Sequence, residues 1–93
     1  MSDLISFDEV LDIALKDPEF ADEFNELREQ RKLAAMLKEA RIAKNLTQLQ
    51  VAERSGINVK NISRLERGVV SPKYTTVVRY LKAVGGEFQY IPA

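Results

Sequence analysis

The chain has 93 residues, 45% hydrophobic and 30% charged, with 14 basic and 14 acidic side chains and neither Cys nor His. That composition belongs to one small globular domain with an appendage, not to a disordered chain. The missing Cys and His exclude a disulfide framework, a thiolate site, His- or Cys-ligated zinc and imidazole catalysis.

Formal neutrality hides an opposition. Residues 1–29 carry ten acids against Lys16 and Arg28, whereas residues 30–93 carry twelve bases against four acids. The second part attracts phosphates and the first repels them, so an acidic arm belongs away from DNA and suits a basic protein. The N-terminus lacks the basic start and apolar run of a signal peptide, and no stretch of about 18 apolar residues exists. The expectation is a cytoplasmic protein without a membrane span.

In chain order, Ser6-Phe7-Asp8-Glu9 has the pattern of a capping box, and Phe7, Val10, Leu11, Ala14 and Leu15 follow at helical spacing. This predicts an amphipathic helix over 7–16. Asp17-Pro18 then provides a cap and a first-turn proline for a second helix. Phe20, Phe24 and Leu27 define one apolar stripe, and Leu33, Leu37 and Ala40 another. The six-residue step from Leu27 to Leu33 turns the stripe by roughly 120°. Either the helix breaks near Glu29 to Arg31, or one long helix shows two faces to two partners.

Asn45 tolerates the left-handed conformation that ends a helix, and Thr47 is a good N-cap. Short helices are predicted over 48–54 and 59–67, with Gly68 as C-cap. Ser71-Pro72 opens a further helix over 73–84 with Val77, Val78, Leu81 and Val84 facing inward. Gly85-Gly86 stops it. Residues 87–91, EFQYI, then alternate as a short strand closed by Pro92. A lone strand in a helical domain lacks a ladder partner. The same strand of a second copy would supply one through Phe88, Tyr90 and Ile91; a loose tail or pairing with another protein are the alternatives.

Residues 48–67, QLQVAERSGINVKNISRLER, carry a helix-turn-helix pattern. Ala52 is small where two helices approach, Gly56 takes the turn conformation, and Val51, Ile57, Ile62 and Leu65 bury the inner faces. No Gly-rich phosphate loop or paired-carboxylate motif accompanies it, and the expectation is a protein that is not an enzyme and needs no cofactor or metal.

Residues 37–84, above all Arg41, Leu46-Thr47-Gln48, Ala52, Gly56-Ile57, Ile62-Ser63-Arg64-Leu65-Glu66 and Gly68, resemble the Cro/C1 (XRE) family of DNA-binding domains. The layout of acidic arm, DNA-binding core and GGEFQYIP ending is similar to HigA-type antitoxins of bacterial toxin-antitoxin modules. The resemblance implies an all-α, five-helix-type Cro/C1 domain over 32–86, an acidic helical arm over 1–31 and a dimerising strand or tail over 87–93.

It also implies roles. Val59, Lys60 and Arg64 occupy the family's base-contact positions: Arg64 suits guanine O6 and N7, Lys60 suits guanine acceptors or a phosphate, and Val59 suits a thymine methyl. Gln48 matches a glutamine that meets backbone phosphate. Thr47, Asn58, Asn61, Ser63, Arg67 and Lys73, with Arg79, are further phosphate candidates. Arg41 and Glu66 match a pair joining the first core helix to the end of the recognition helix. The partners implied are operator DNA, a second copy, and a small basic RelE/HigB-like ribonuclease toxin. Phe7, Val10, Leu11, Phe20, Phe24 and Leu27 of the arm are the toxin-binding candidates, unless they complete the protein's own core.

Overall fold

A computed structural model describes residues 6–93, so the first five positions of the arm lie outside the described residues. Five helices follow one another: α1 Phe7–Ala14, α2 Pro18–Ala43, α3 Gln48–Ser55, α4 Val59–Arg67 and α5 Tyr74–Ala83.

The local signals act where the sequence places them. Ser6 Oγ accepts the Glu9 N–H at 3.2 Å, the forward half of the expected capping box, and Asp17 Oδ1 accepts from Glu19 N–H at 3.0 Å ahead of Pro18. Thr47 and Gln50 complete a reciprocal box, with Thr47 Oγ1 accepting from Gln50 N–H at 3.1 Å and Gln50 Oε1 from Thr47 N–H at 2.8 Å. Asn45 takes φ 56°, and Gly56 and Gly68 cap α3 and α4 at φ 73° and 70°. α1 is two residues shorter than expected at its C-terminal end.

The question left open for α2 is resolved as one unbroken helix of 26 residues. Its first half projects with Phe20 and Leu27 exposed, while Ala34 and Leu37 in its second half are buried. Among the described residues five helices thus make up arm and domain together, because arm and domain share α2. Helix formation propagates at low cost once nucleated, and no Gly or Pro interrupts residues 19–43, so the change of apolar face alone does not break it.

The core consists of Leu37, Leu46, Val51, Ile57, Ile62, Leu65, Val77, Tyr80, Leu81, Ala83 and Val84. α4 packs on α2 and α3, and α5 on α2 and α3. Val78, expected inward, is only half-buried, whereas Tyr80 is fully buried.

The expected C-terminal strand is not formed, and among the described residues there is no strand at all. A strand needs a ladder of backbone partners, and the described residues of one chain, with their five helices, offer none. Phe88 instead stacks on Tyr74 with ring centroids 5.2 Å apart, leaving Tyr90 and Ile91 exposed.

Gly68 meets two constraints at once. Its φ is left-handed, and a Cβ there would stand 3.3 Å from the Arg31 Cα on α2. At Gly85, also left-handed, a Cβ would meet only the flexible end of Lys44, at 3.7 Å. Gly68→Ala is therefore expected to cost more than Gly85→Ala, which should lose only the left-handed penalty of about 1–2 kcal/mol. Urea unfolding of both variants checks this; equal losses would remove the α2 contact from the account.

Candidate nucleic-acid interface

Glu66 is a carboxylate at the end of α4, with its side chain only 2% exposed. Ionised, it needs donors in every direction, and four reach it. Arg41 Nε donates to Oε2 at 2.8 Å and Arg41 Nη2 to Oε1 at 2.9 Å. The Tyr80 hydroxyl donates to Oε2 at 2.7 Å, and Gln48 Nε2 to Oε1 at 3.2 Å. These donors fill the lone-pair capacity of a carboxylate. Among the described residues no buried side-chain nitrogen or oxygen lacks a partner.

The network joins every element of the domain. Arg41 is on α2, Gln48 begins α3, Glu66 ends α4 and Tyr80 is on α5. Arg41 Nη1 also donates to the Leu46 carbonyl at 2.9 Å, fastening the turn between α2 and α3. Tyr80 lies 3.0 Å from the Leu37 carbonyl, so its single proton is shared between two acceptors.

Burial pushes the Glu66 carboxyl up, but hydrogen bonds from Arg41, Tyr80 and Gln48 outweigh it and hold the group below the ordinary carboxylate range. Burial, and then the bond to Glu66, push Tyr80 well above the ordinary phenol range. The Arg41 guanidinium is raised by its bond to Glu66.

This packing fixes how α4 is presented. At about 100° per residue, Val59, Lys60, Ser63, Arg64 and Arg67 share one outward arc of α4. Ser63 is half-buried and the other four are exposed. Ile62, Leu65 and Glu66 face inward. Gly56 gives the turn before α4, and Asn58 Oδ1 caps the helix by accepting from Lys60 N–H at 2.8 Å.

Among the described residues only two ion pairs form, Lys32 with Glu29 and Arg41 with Glu66. Lys60, Arg64, Arg67, Lys73 and Arg79 therefore have no carboxylate partner in the described structure. The first turns of α3 and α4 contain no acid, whereas α1 and α2 begin with Asp8, Glu9 and Glu19. The positive helix ends at the helix-turn-helix are left uncompensated, which favours phosphate there.

The predicted backbone-contact residues are not equally free. Thr47 Oγ1 and Asn58 Oδ1 are occupied as caps, which leaves the Thr47 hydroxyl proton and the Asn58 amide hydrogens. Gln48 uses one amide hydrogen on Glu66 and keeps the other. Arg67 Nε donates to the Ser63 carbonyl at 3.3 Å, leaving its terminal nitrogens available.

On the α5 side of α4 runs a groove of about 360 Å³, lined among others by Asn58, Asn61, Arg64, Ser71, Thr76 and Arg79. Arg79 Nε donates to the Ser55 carbonyl at 3.1 Å. Sequence reasoning missed Tyr80 and this role of Arg79. For Tyr80 a signal existed, since it falls three residues after Val77 on the inward face of α5 and a buried phenol demands a partner. For Arg79 none did, because its acceptor is a backbone carbonyl far away in sequence.

None of the toxin-binding candidates lines this groove. Phe7, Val10, Phe20 and Leu27 are exposed, Leu11 and Phe24 are half-buried, and none joins the core. Phe20 and Phe24 stack with ring centroids 6.3 Å apart. Among the described residues no helix is long and apolar enough to cross a membrane.

Two short helices joined at a left-handed Gly, the second held by a buried carboxylate and presenting unpaired cations, define a helix-turn-helix DNA-binding protein. Residues 37–91 match the family described as Helix-turn-helix. The chain belongs to that family, in its Cro/C1 (XRE-type) form, and is a sequence-specific DNA-binding regulator. No curated protein and no solved structure matches it.

Arg41→Ala should destabilise the fold by about 3 kcal/mol or more, because it strands a buried carboxylate. For pH, the folded pKa of Glu66 lies below its unfolded value. Its contribution is therefore present above the ordinary 4.5 and lost as pH falls through the lowered folded value. The stability gap between the native chain and Glu66→Gln, measured by urea unfolding, should be constant above about pH 5 and narrow below pH 4.5. A gap that widens on acidification would contradict the sign.

Proposed function

We propose that this regulator is a homodimeric repressor of its own operon and also the antitoxin of a small basic RelE/HigB-like ribonuclease toxin. The observation that carries the DNA half is the set of exposed cations, free of carboxylate partners, on and beside α4. In this reading α4 enters the major groove. Arg64 bonds bidentately to guanine, Lys60 reaches guanine acceptors or phosphate, and Val59 packs on a thymine methyl. Gln48, Thr47, Asn58, Asn61, Ser63, Arg67 and Lys73 hold the sugar-phosphate backbone and set register.

The antitoxin half rests on the arm. Its apolar side chains stay exposed beside a dense set of acids, a surface that a basic protein groove would cover. Phe20 and Phe24 are its aromatic anchors. The exposed Phe88, Tyr90 and Ile91 of the tail gain backbone partners when a second copy pairs with them, and this is the proposed dimer contact.

One observation favours a second reading, a stand-alone repressor. The arm is continuous with the DNA-binding domain through α2, as expected of a segment that merely extends the fold or a dimer interface.

Three measurements test these assignments. A two-fold dimer should protect two half-sites roughly 34 Å apart in footprinting. Arg64→Ala should lose about 1–3 kcal/mol on its operator and relax one base position, while Gln48→Ala should weaken all duplexes alike. Equal losses on operator and random DNA would sink the readout role of Arg64. A pull-down with the full chain should retain a small basic protein that a version lacking residues 1–30 does not; a clean homodimer in both would leave the stand-alone repressor.

A further inference from the structure

Among the described residues α1 is the one helix along which no other helix packs. Its apolar side chains Phe7, Val10 and Ile13 recur every three residues and stay exposed, a ridge with no groove to receive it in its own chain. Its charged residues are Asp8, Glu9 and Asp12, with no base among them. A helix of eight residues is marginal in water unless it packs on something.

A surface of matching shape and charge exists on α2. Phe24, Leu27, Arg28, Arg31, Lys32 and Ala35 enclose a hollow of about 450 Å³, and none of them belongs to the core. The short side chain of Ala35 leaves room between longer neighbours, the kind of hole that takes an apolar knob from a second helix. Its rim is cationic and no carboxylate lines it. Lys32 pairs with Glu29 at 3.5 Å, whereas Arg28 and Arg31 have no carboxylate partner in the described structure. Such a rim repels a basic protein and attracts an acidic amphipathic helix.

The α1 of the same chain cannot fill this hollow. Only Leu15, Lys16 and Asp17 separate it from α2, so its eight residues folded back from Pro18 cover about 12 Å, to near Glu26. The hollow continues to Ala35, roughly 26 Å from Pro18. We infer that each α1 docks in the α2 hollow of a second copy. Phe7, Val10 and Ile13 enter between Phe24, Leu27 and Ala35, while Asp8, Glu9 and Asp12 meet Arg28, Arg31 and Lys32. The exchange is reciprocal about a two-fold axis, so both hollows are filled at once. It goes beyond the tail and toxin contacts proposed above and sets a condition on the second: Phe24 and Leu27 are covered in the free protein, and a toxin reaches them by displacing α1.

The native chain has no Cys, so single introduced thiols report contacts cleanly. Full-length Val10→Cys and Ala35→Cys chains of different mass are mixed and treated with a short bis-maleimide, so that every cross-linked product joins two copies. The mixed product should exceed either self-product, and Val10→Cys mixed with Glu53→Cys on α3 should give little. Arg28→Glu with Lys32→Glu in the Ala35→Cys chain should lower the mixed yield by about tenfold, because like charges then face each other. Asp8→Lys with Asp12→Lys in the Val10→Cys partner should restore it. All of these positions are exposed, so the variants keep the core intact, and circular dichroism checks that they do.

Absence of the mixed product would overturn the exchange. So would a cross-link formed within one chain carrying both Val10→Cys and Ala35→Cys at nanomolar concentration, when the mixed single variants give none. A mixed yield indifferent to both charge reversals would remove the reason for choosing α1 as the occupant. Loss of affinity for random duplex DNA in Arg28→Glu with Lys32→Glu, at unchanged mixed yield, would overturn the assignment and make the cationic rim a DNA contact.

Discussion

The domain depends on one buried negative charge. Glu66 is where α2, α3, α4 and α5 meet, and its four donors come from three of those helices as well as filling its own coordination. An ion pair in such a place contributes little net stability, since desolvation roughly offsets attraction. Its value is geometric. A carboxylate that tolerates no missing donor permits one relative placement of the helices, and that placement decides which arc of α4 faces outward. Arg41 extends the constraint to the α2–α3 turn through the Leu46 carbonyl, so the start of α3 and the end of α4 are located by the same guanidinium.

From this follows an interface divided by function. The outward arc of α4 presents side chains with no competing intramolecular carboxylate, while the residues around it are partly spent on holding the fold. Thr47, Asn58 and Gln48 each give one bond to the protein and keep another for a ligand. A side chain already held by one bond loses less freedom when it makes the second, the physical meaning of preorganisation. α2 carries a different consequence: one continuous helix joins the acidic arm to the basic domain.

Much of this was legible beforehand because it is local. Ser6, Asp17 and Thr47 cap helices through atoms two or three residues away, and Gly56, Gly68 and Asn45 are the residue types that a left-handed φ selects. The Arg41–Glu66 pair was legible only through resemblance, since nothing local relates residues 25 apart. Tyr80 escaped because an inward face can be filled by Val78 or by Tyr80 on spacing alone, and the choice falls to whichever side chain finds a partner for its polar end. The expected strand of residues 87–91 is not formed within one chain, for the same reason in reverse. Alternation marks a segment able to pair, and pairing needs a neighbour that the single chain does not contain.

The sequence by itself determined the helix caps, the turn at Gly56 and the charge opposition between arm and domain, because each follows from short-range sterics, hydrogen bonding or composition, while the positions of Val59, Lys60 and Arg64 were read through the resemblance. Tertiary structure alone decided that Tyr80 completes the shell of Glu66 and that Arg79 donates to the Ser55 carbonyl beside Gly56. Those outcomes depend on which distant groups can satisfy a buried charge or a carbonyl, and that is settled only when the helices pack.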